Sequence, residues 1–217
     1  MKNGVRVAVL VAIASGMGFT GSAMAFEPGE WLVRAGAMSV DPKTDNHEVV
    51  SVDDAISATI GFTYMMTDVW AIDILAAYPF EHDIELVGGP KVGSTKHLPP
   101  TVSLQWRPKP NGMFQPYFGL GFNYTKFFSE DTTGLLEGTK LSLDDSWGFA
   151  GQAGFDIVIN ENVFINFDVR YANIESDAKI NGVKLGPFIE DAFGVNFISS
   201  TVKIDPMVYG AHVGFRF

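Results

Sequence analysis

Large apolar residues alternate with smaller or polar residues along most of the chain. Between Trp70 and Phe80 the even-numbered positions are large and apolar, whereas the odd-numbered positions are small, charged or mixed. A two-residue period is typical of a β-strand with one face in apolar surroundings. The same alternation recurs in seven other segments, which are residues 31–37, 56–64, 101–106, 118–124, 147–157, 163–171 and 207–217. The pattern therefore predicts eight strands.

The connections between these segments alternate in length. The short connections are residues 65–68, 107–113 and 160–162, and the long ones are residues 41–54, 81–98, 129–145 and 175–200. Short turns at one end and long loops at the other are typical of outer-membrane barrels. No segment after residue 25 has the run of roughly 18 apolar residues that a membrane-spanning helix needs. The alternation in length favours a barrel that crosses the membrane with strands.

The two faces of the strands also favour a membrane protein. The polar face is rich in Gly, Ser, Thr, Asn and Gln, whereas a soluble barrel or sandwich would leave that face broadly charged. Aromatic residues near the strand ends match the girdles at lipid headgroup depth; they are Trp31, Trp70, Tyr78, Phe80, Trp106, Tyr124, Trp147 and Tyr171. We predict an all-β fold, an eight-stranded antiparallel transmembrane β-barrel with short periplasmic turns and long extracellular loops.

The first 25 residues predict a secretory signal peptide. Lys2 and Arg6 precede an apolar run over residues 7–14, and the segment ends in Ala23-Met24-Ala25, which fits an A-x-A cleavage site. The run is shorter than the ~20 residues of a membrane anchor. We expect residues 1–25 to be the signal peptide and residues 26–217 to form the barrel in a Gram-negative outer membrane.

Charge and motif content argue against several other functions. The net charge is −10, and nucleic acid is a poor partner for such a chain because phosphate binding needs a basic face. The chain has four histidines but no G-x-S-x-G motif, which is a common setting for a nucleophilic serine. We expect no catalytic residue, no enzyme activity, no bound metal and no cofactor.

The last strand contains a change of pattern. Val202 and Ile204 are even-numbered apolar residues, but the apolar residues from Met207 to Phe217 are odd-numbered. The change falls at Asp205-Pro206, and proline is tolerated in strands mainly at bulges and edges. We predict a local break or bulge there. A gap in the wall at Asp205 and Pro206 would let an apolar solute leave sideways into the membrane.

Several stretches of the chain resemble the outer-membrane protein W family, which includes alkane-uptake proteins of the AlkL type. The resemblance covers essentially the whole chain after residue 25, and its most specific parts are His97-Leu98-Pro99-Pro100-Thr101 and Asp145-Ser146-Trp147-Gly148. Further matching stretches are Phe62-Thr63-Tyr64-Met65, Leu75-Ala76-Ala77, Pro79-Phe80, Gln105-Trp106, Pro116-Tyr117, Gly151-Gln152, Asp205-Pro206 and Arg216-Phe217. The resemblance implies an eight-stranded barrel with a hydrophobic channel for small apolar molecules and no enzyme activity.

The resemblance also implies a constriction. In that family an apolar constriction that includes a Leu and a Trp is described as closing the channel. Leu75 matches the Leu, whereas Arg170 stands at the position of the Trp. Arg170 then forms either a charged latch with Asp73, Asp156 or Asp168, or a neutralised structural plug with them, because buried ions must be paired.

Other candidate site residues follow from the placement of the strands. An eight-stranded lumen is just wide enough to be filled by side chains; we expect Met65, Phe114 and Phe164, with Leu75, to be inward contacts for an apolar ligand. Inward glycines either leave room for passage or ease the curvature of a small barrel; they are Gly61, Gly119, Gly121, Gly148 and Gly154.

The last long connection is unusually apolar. Phe188, Phe193 and Phe197 lie in it, and they form either a hydrophobic mouth over the barrel or a cluster of loop-on-loop packing.

We therefore expect small hydrophobic solutes to diffuse through the barrel, with Leu75 and Arg170 at the constriction. The alternative is a structural barrel that acts as a surface receptor or adhesin through its loops. Expected partners are outer-membrane lipid, lipopolysaccharide and the barrel assembly machinery, which would recognise Phe217.

Overall fold

The computed structural model describes residues 25–42, 50–86, 89–108, 113–182 and 197–217. The strands are β1 (Trp31–Asp41), β2 (Val50–Val52), β3 (Ala55–Met65), β4 (Trp70–Ala77), β5 (Phe80–Leu86), β6 (Lys91–Leu98), β7 (Thr101–Trp106), β8 (Phe114–Thr132), β9 (Lys140–Leu143), β10 (Ser146–Val158), β11 (Val163–Ala172), β12 (Glu175–Asn181), β13 (Phe197–Lys203) and β14 (Met207–Arg216). A short 3₁₀ helix covers Gly134–Leu136. Among these residues no helix is long and apolar enough to cross a bilayer.

Eight of the strands close into an antiparallel barrel. The order around the ring is β1, β3, β4, β7, β8, β10, β11 and β14, and β14 pairs with β1 to complete it. Closure pairs the backbone groups that an open sheet would leave unsatisfied in lipid. The predicted eight-stranded antiparallel fold is confirmed.

The outer face of the barrel is the apolar face that the alternation predicts. Exposed large side chains include Ile56, Ile72, Ile74, Val102, Leu104, Leu120, Phe122, Phe149 and Val213. Two levels of aromatic residues border this band. Trp31 lies against Tyr64, with 4.9 Å between ring centroids, near the short turns, and Tyr124 lies against Trp147, with 4.5 Å between ring centroids, near the long connections. The band between them has the character of a surface in lipid.

The strands continue beyond the aromatic level of Tyr124 and Trp147, which we call the outer aromatic level. The part of the barrel beyond this level is called the upper side. Here β5 and β6 extend the wall from β4 and β7, and β12 and β13 extend it from β11 and β14. One upper sheet contains β2, β5, β6 and the end of β8, and the other contains β9, β12 and β13. The long connections predicted over residues 81–98, 129–145 and 175–200 therefore lie at this end, and within their described residues much of the backbone pairs into strands.

At Pro79, between β4 and β5, the alternation of inward and outward side chains changes. Tyr78 is exposed, yet Phe80, two residues later, is 2% exposed. Pro79 cannot donate to the ladder, and the alternation shifts there by one position. Phe80 thus faces the lumen, and its predicted place in the lipid girdle is wrong.

The predicted break at Asp205-Pro206 is present. Strand β13 ends at Lys203 and β14 begins at Met207, and Asp205 has a positive φ of 36°. The Asp205 carboxylate accepts hydrogen bonds from Asn173 Nδ2 at 2.9 Å and from the Ile174 N–H at 3.0 Å. Asp205 therefore connects the break between β13 and β14 to the neighbouring break between β11 and β12.

Candidate functional site

The upper half of the lumen contains a large apolar cavity, which we call the upper chamber. Its volume is about 560 Å³, within the range of small-molecule sites. Most of the lining is aliphatic or aromatic and comes from both upper sheets: Val52, Ile84, Leu86, Val92, Phe127, Leu136, Leu141, Leu143, Ala178, Ile180, Val202 and Ile204. Apolar walls of this kind favour an apolar occupant over water.

Two stacked histidines lie at the base of the upper chamber. The rings of His82 and His97 are 4.9 Å apart between centroids, and His97 also stacks on Phe80. His82 Nδ1 lies 2.6 Å from the Asp53 carbonyl oxygen, to which it donates a hydrogen bond. Burial, followed by the charge of His82, lowers the pKa of His97 to about 3, and burial also lowers the pKa of His82. Both imidazoles are therefore neutral at pH 7.

A smaller cavity of about 40 Å³, the lower cavity, lies next to this histidine pair. His97 lines both cavities. Met38, Val40, Leu75 and Phe80 form an apolar cluster on one side. Polar side chains also line it, among them Thr101, Ser103, Asn123, Gln152 and Arg170. The lower cavity thus combines an apolar wall with buried hydrogen-bonding side chains.

Below the lower cavity, paired charges fill the lumen. Asp73 is fully buried and accepts from Arg34 at 2.9 Å and from Arg170 Nη2 at 3.0 Å. Thr63 Oγ1 donates to Asp73 at 2.6 Å, and Arg170 Nε donates to Asp168 at 2.8 Å. We call Arg34, Asp73, Asp168 and Arg170 the charge belt; its two positive and two negative charges cancel.

A second polar layer continues from the charge belt towards the short turns. Arg107 pairs with Asp156 and donates to Gln105 Oε1 at 2.6 Å. Asn166 Nδ2 donates to Asp156 at 2.7 Å and to Tyr117 Oη at 2.9 Å. These contacts connect side chains from several strands across the lumen. They leave it filled rather than open to water, as the geometry of eight strands predicts.

The periplasmic end of the lumen is apolar. Phe26, Leu32, Met65, Ala71, Val158 and Phe164 pack into one buried cluster. Phe26 meets Phe164 edge-to-face at 5.5 Å between centroids, and the Arg107 guanidinium lies 5.1 Å from the centre of the Phe26 ring. This cluster closes the floor of the barrel beneath the polar layers.

The inward glycines do not leave empty space. A Cβ at Gly61 would lie 2.7 Å from the Arg34 guanidinium carbon, and one at Gly154 would lie 2.6 Å from Tyr117 Oη. At Gly119 the amide of Gln152 occupies the corresponding position. Long polar side chains from neighbouring strands therefore use the room that these glycines provide.

The structure separates the residues that the sequence suggests for a ligand channel. Leu75 and Arg170 line the same cavity, whereas Met65 and Phe164 lie in the floor cluster, on the other side of the charge belt. The expectation that Phe114 faces inward is wrong: Phe114 is 52% exposed and lies against Phe155 on the outer face. It shares the even-numbered, outward positions of Phe118 and Leu120.

The other candidates lie around the upper side. Phe188 and Phe193 are outside the described residues, and Phe197 begins β13, where its backbone pairs with Asn181. Arg170 pairs with Asp73 and Asp168, whereas Asp156 pairs with Arg107. Sequence reasoning missed Arg34, the stacked histidines and Gln152. Inward strand position was the available signal for Arg34 and Gln152, because a charged or amide side chain there must find a partner.

A closed eight-stranded barrel with an apolar outer face, two aromatic levels and paired charges inside defines a β-barrel protein of the outer membrane. Comparison with known proteins gives the particular group. The profile described as "OmpW family" matches residues 27–217. The chain belongs to the OmpW family.

Three relatives illustrate the similarity. The chain is 37% identical over 226 residues to outer membrane protein W of Vibrio cholerae serotype O1, with 97% of each chain covered. It is 36% identical over 208 residues to outer membrane protein W of Escherichia coli K12, covering 91% of this chain and 93% of that one. The crystal structure of OprG from Pseudomonas aeruginosa matches with a TM-score of 0.77 and 37% identity, over 89% of this chain and 98% of OprG.

Proposed function

We propose that this barrel passes small hydrophobic molecules across the outer membrane by diffusion, without a catalytic step. The observation that carries the proposal is the upper chamber, an apolar cavity of about 560 Å³ that meets the lower cavity at His97. Burial of apolar surface, at about 25 cal/mol per Å², supplies the driving force for an apolar solute to enter.

Exit sideways into the membrane is the second part of the proposal. The charge belt and the polar layer below it oppose a straight path, because an apolar solute would have to separate buried ion pairs. The wall beside the lower cavity contains small residues, Ala150, Gly151 and Ala172, and the break at Pro206. We propose that a solute leaves there, between strands, towards the hydrocarbon.

Uptake by vesicles tests the transport proposal. Vesicles with lipopolysaccharide in the outer leaflet and the purified barrel should take up a labelled alkane faster than protein-free vesicles. Equal rates would reject transport and favour the alternative, a surface receptor or adhesin.

A disulfide across the wall tests the sideways exit. Ala150 and Ala172 are opposite residues of β10 and β11, and the chain has no cysteine of its own. The double variant Ala150→Cys with Ala172→Cys should lose uptake when oxidised and regain it when reduced. Unchanged uptake in the oxidised protein would contradict exit at this place. Oxidation of the wild-type barrel is the control.

We also propose that the barrel assembly machinery recognises Phe217 during insertion. We propose further that lipid and lipopolysaccharide surround the folded barrel. Phe217 is 77% exposed while its backbone pairs with that of Trp31 in both directions. Phe217→Ala should slow insertion by the barrel assembly machinery, as followed by heat-modifiable gel mobility, and Phe217→Tyr should not. Wild-type kinetics for Phe217→Ala would contradict this role.

A further inference from the structure

Four buried polar atoms of residues that line the lower cavity lack a hydrogen-bond partner within the part of the chain that the structure describes. They are His97 Nδ1, Arg170 Nη1 and both amide atoms of Gln152, Nε2 and Oε1. Arg170 and Gln152 are 5% and 7% exposed, and both line the lower cavity. Leaving a buried polar group unpaired is costly. These atoms are therefore placed to bind either water or a polar group of a ligand.

The charges around these atoms favour an uncharged ligand group. Arg170 belongs to the charge belt, in which two arginines and two aspartates cancel. A carboxylate would add an unbalanced negative charge to this buried site. A hydroxyl group both donates and accepts a hydrogen bond. It could accept from Arg170 Nη1 or Gln152 Nε2 and donate to Gln152 Oε1.

The two cavities differ in size and suit different parts of one ligand, its polar head group and its apolar chain. The lower cavity, of about 40 Å³, has room for a small polar group and little more. The upper chamber, of about 560 Å³, has apolar walls. His97 lines both, so one molecule can extend from the lower cavity into the upper chamber past this residue.

We propose that the lower cavity is a head-group site that selects amphiphiles with an uncharged hydroxyl head over plain alkanes. The hydroxyl binds Gln152 and Arg170, and the apolar chain lies in the upper chamber. This inference rests on the proposed function and adds the class of substrate: medium-chain alcohols pass in preference to alkanes or fatty carboxylates of equal length. Gln152 is the specificity-determining residue.

Three probes of equal chain length test the inference: 1-decanol, decane and decanoate. Each is given to vesicles with lipopolysaccharide in the outer leaflet, with and without the barrel, and the protein-dependent rates are compared. The wild-type barrel should favour 1-decanol. Gln152→Leu keeps a similar volume and breaks no hydrogen bond within the described part of the protein. It should lower the 1-decanol rate about threefold to tenfold, as expected for one neutral hydrogen bond, and leave the decane rate unchanged.

The control variant is Thr201→Ala, which removes an exposed hydroxyl that donates to Asp177 and belongs to the lining of neither cavity. It should keep the wild-type preference. A direct measurement on the unaltered protein accompanies the variants: nuclear Overhauser contacts between the Gln152 side-chain amide and the C1 protons of 1-decanol should be seen in lipid nanodiscs. If Gln152→Leu does not fold, this measurement tests the head-group site directly, and the absence of these contacts would overturn it.

The outcomes separate the two proposals. If no probe enters faster than in protein-free vesicles, the transport function itself is rejected. If decane and 1-decanol pass equally well and Gln152→Leu changes neither rate, transport stands and the head-group site is overturned, with water alone in the lower cavity. A preference for decanoate would also overturn the uncharged head group.

Discussion

Beyond the outer aromatic level the lumen is walled by aliphatic side chains around an upper chamber of about 560 Å³, whereas between the aromatic levels it is filled by the charge belt and the second polar layer. The same antiparallel wall surrounds both regions. In the middle of the lower region, between the lower cavity and the floor cluster, apolar residues face lipid and polar residues face the lumen, where their charges must pair with one another. In the upper region, which extends past the lipid, apolar residues face inward. The charge belt and the second polar layer therefore lie in the part of the barrel whose outer face contacts lipid.

Unbalancing the charge belt should change the stability of the barrel more than any other substitution proposed below. Asp73→Asn leaves Arg34 and Arg170 without their shared carboxylate, and we expect it to destabilise the barrel by about 3–5 kcal/mol. Urea unfolding in detergent micelles, followed by heat-modifiable gel mobility, measures this. The control is Asp83→Asn, which removes an exposed ion pair with Lys91 and should leave the unfolding midpoint unchanged. Equal stability of Asp73→Asn and wild type would mean that the belt is not needed to hold the lower lumen together.

The apolar wall of the lower cavity should respond to loss of volume. Leu75 is 6% exposed, and Leu75→Ala should cost about 2–5 kcal/mol of stability because it leaves a cavity. If Leu75 limits passage, the folded variant should also take up a labelled alkane faster. Leu104→Ala, on the lipid-facing side, is the control and should not raise uptake. An uptake rate unaffected by Leu75→Ala would remove Leu75 from the path.

The histidine pair should make the upper region sensitive to acid. The pKa of His97 is lowered to about 3 in the folded barrel, whereas an unfolded histidine titrates near 6.5. Between these values the unfolded chain binds more protons, so stability falls as the pH falls, by up to about 1.4 kcal/mol per pH unit for this group.

His97→Phe should therefore flatten the dependence of the unfolding midpoint on pH between about 6.5 and 3. Phe127→Leu alters the same aromatic stack without removing a titrating group, and it should keep the wild-type slope. Two identical slopes for His97→Phe and wild type would show that another group governs the acid response. The carboxylates near His82 are Asp53, Asp54 and Asp83, and all three remain in both variants.

The smallest expected effect lies in the second polar layer. Tyr117→Phe removes the acceptor of one Asn166 hydrogen bond, while Asn166 Nδ2 keeps its bond to Asp156. We expect a loss of about 0.5–1.5 kcal/mol in the free energy of unfolding. Tyr209→Phe, on the exposed outer face, serves as the control. A loss several times larger would indicate that the layer unfolds as a single cooperative network.

Much of the fold could be predicted from the alternation alone. Phe114 has the outward parity of Phe118, so the alternation itself places Phe114 on the lipid-facing side. At Val202 and Ile204 the pattern changes for a reason that the sequence did not show. Val202, Ile204 and Val208 are all even-numbered, and all three line cavities in the lumen. The change of pattern therefore marks the place where the apolar residues of the chain stop facing the lumen and begin to face lipid.

Local alternation and matching stretches of chain predict most of the lipid-facing residues, the antiparallel order of neighbouring strands and the family. They do not predict which charges meet, because the partners come from distant strands. Asp73 binds Arg34 and Arg170, which lie 39 and 97 residues away along the chain, and closure of the barrel brings them within 3.1 Å. The upper chamber likewise exists only because two sheets from distant segments stand apart, and no local pattern specifies that distance.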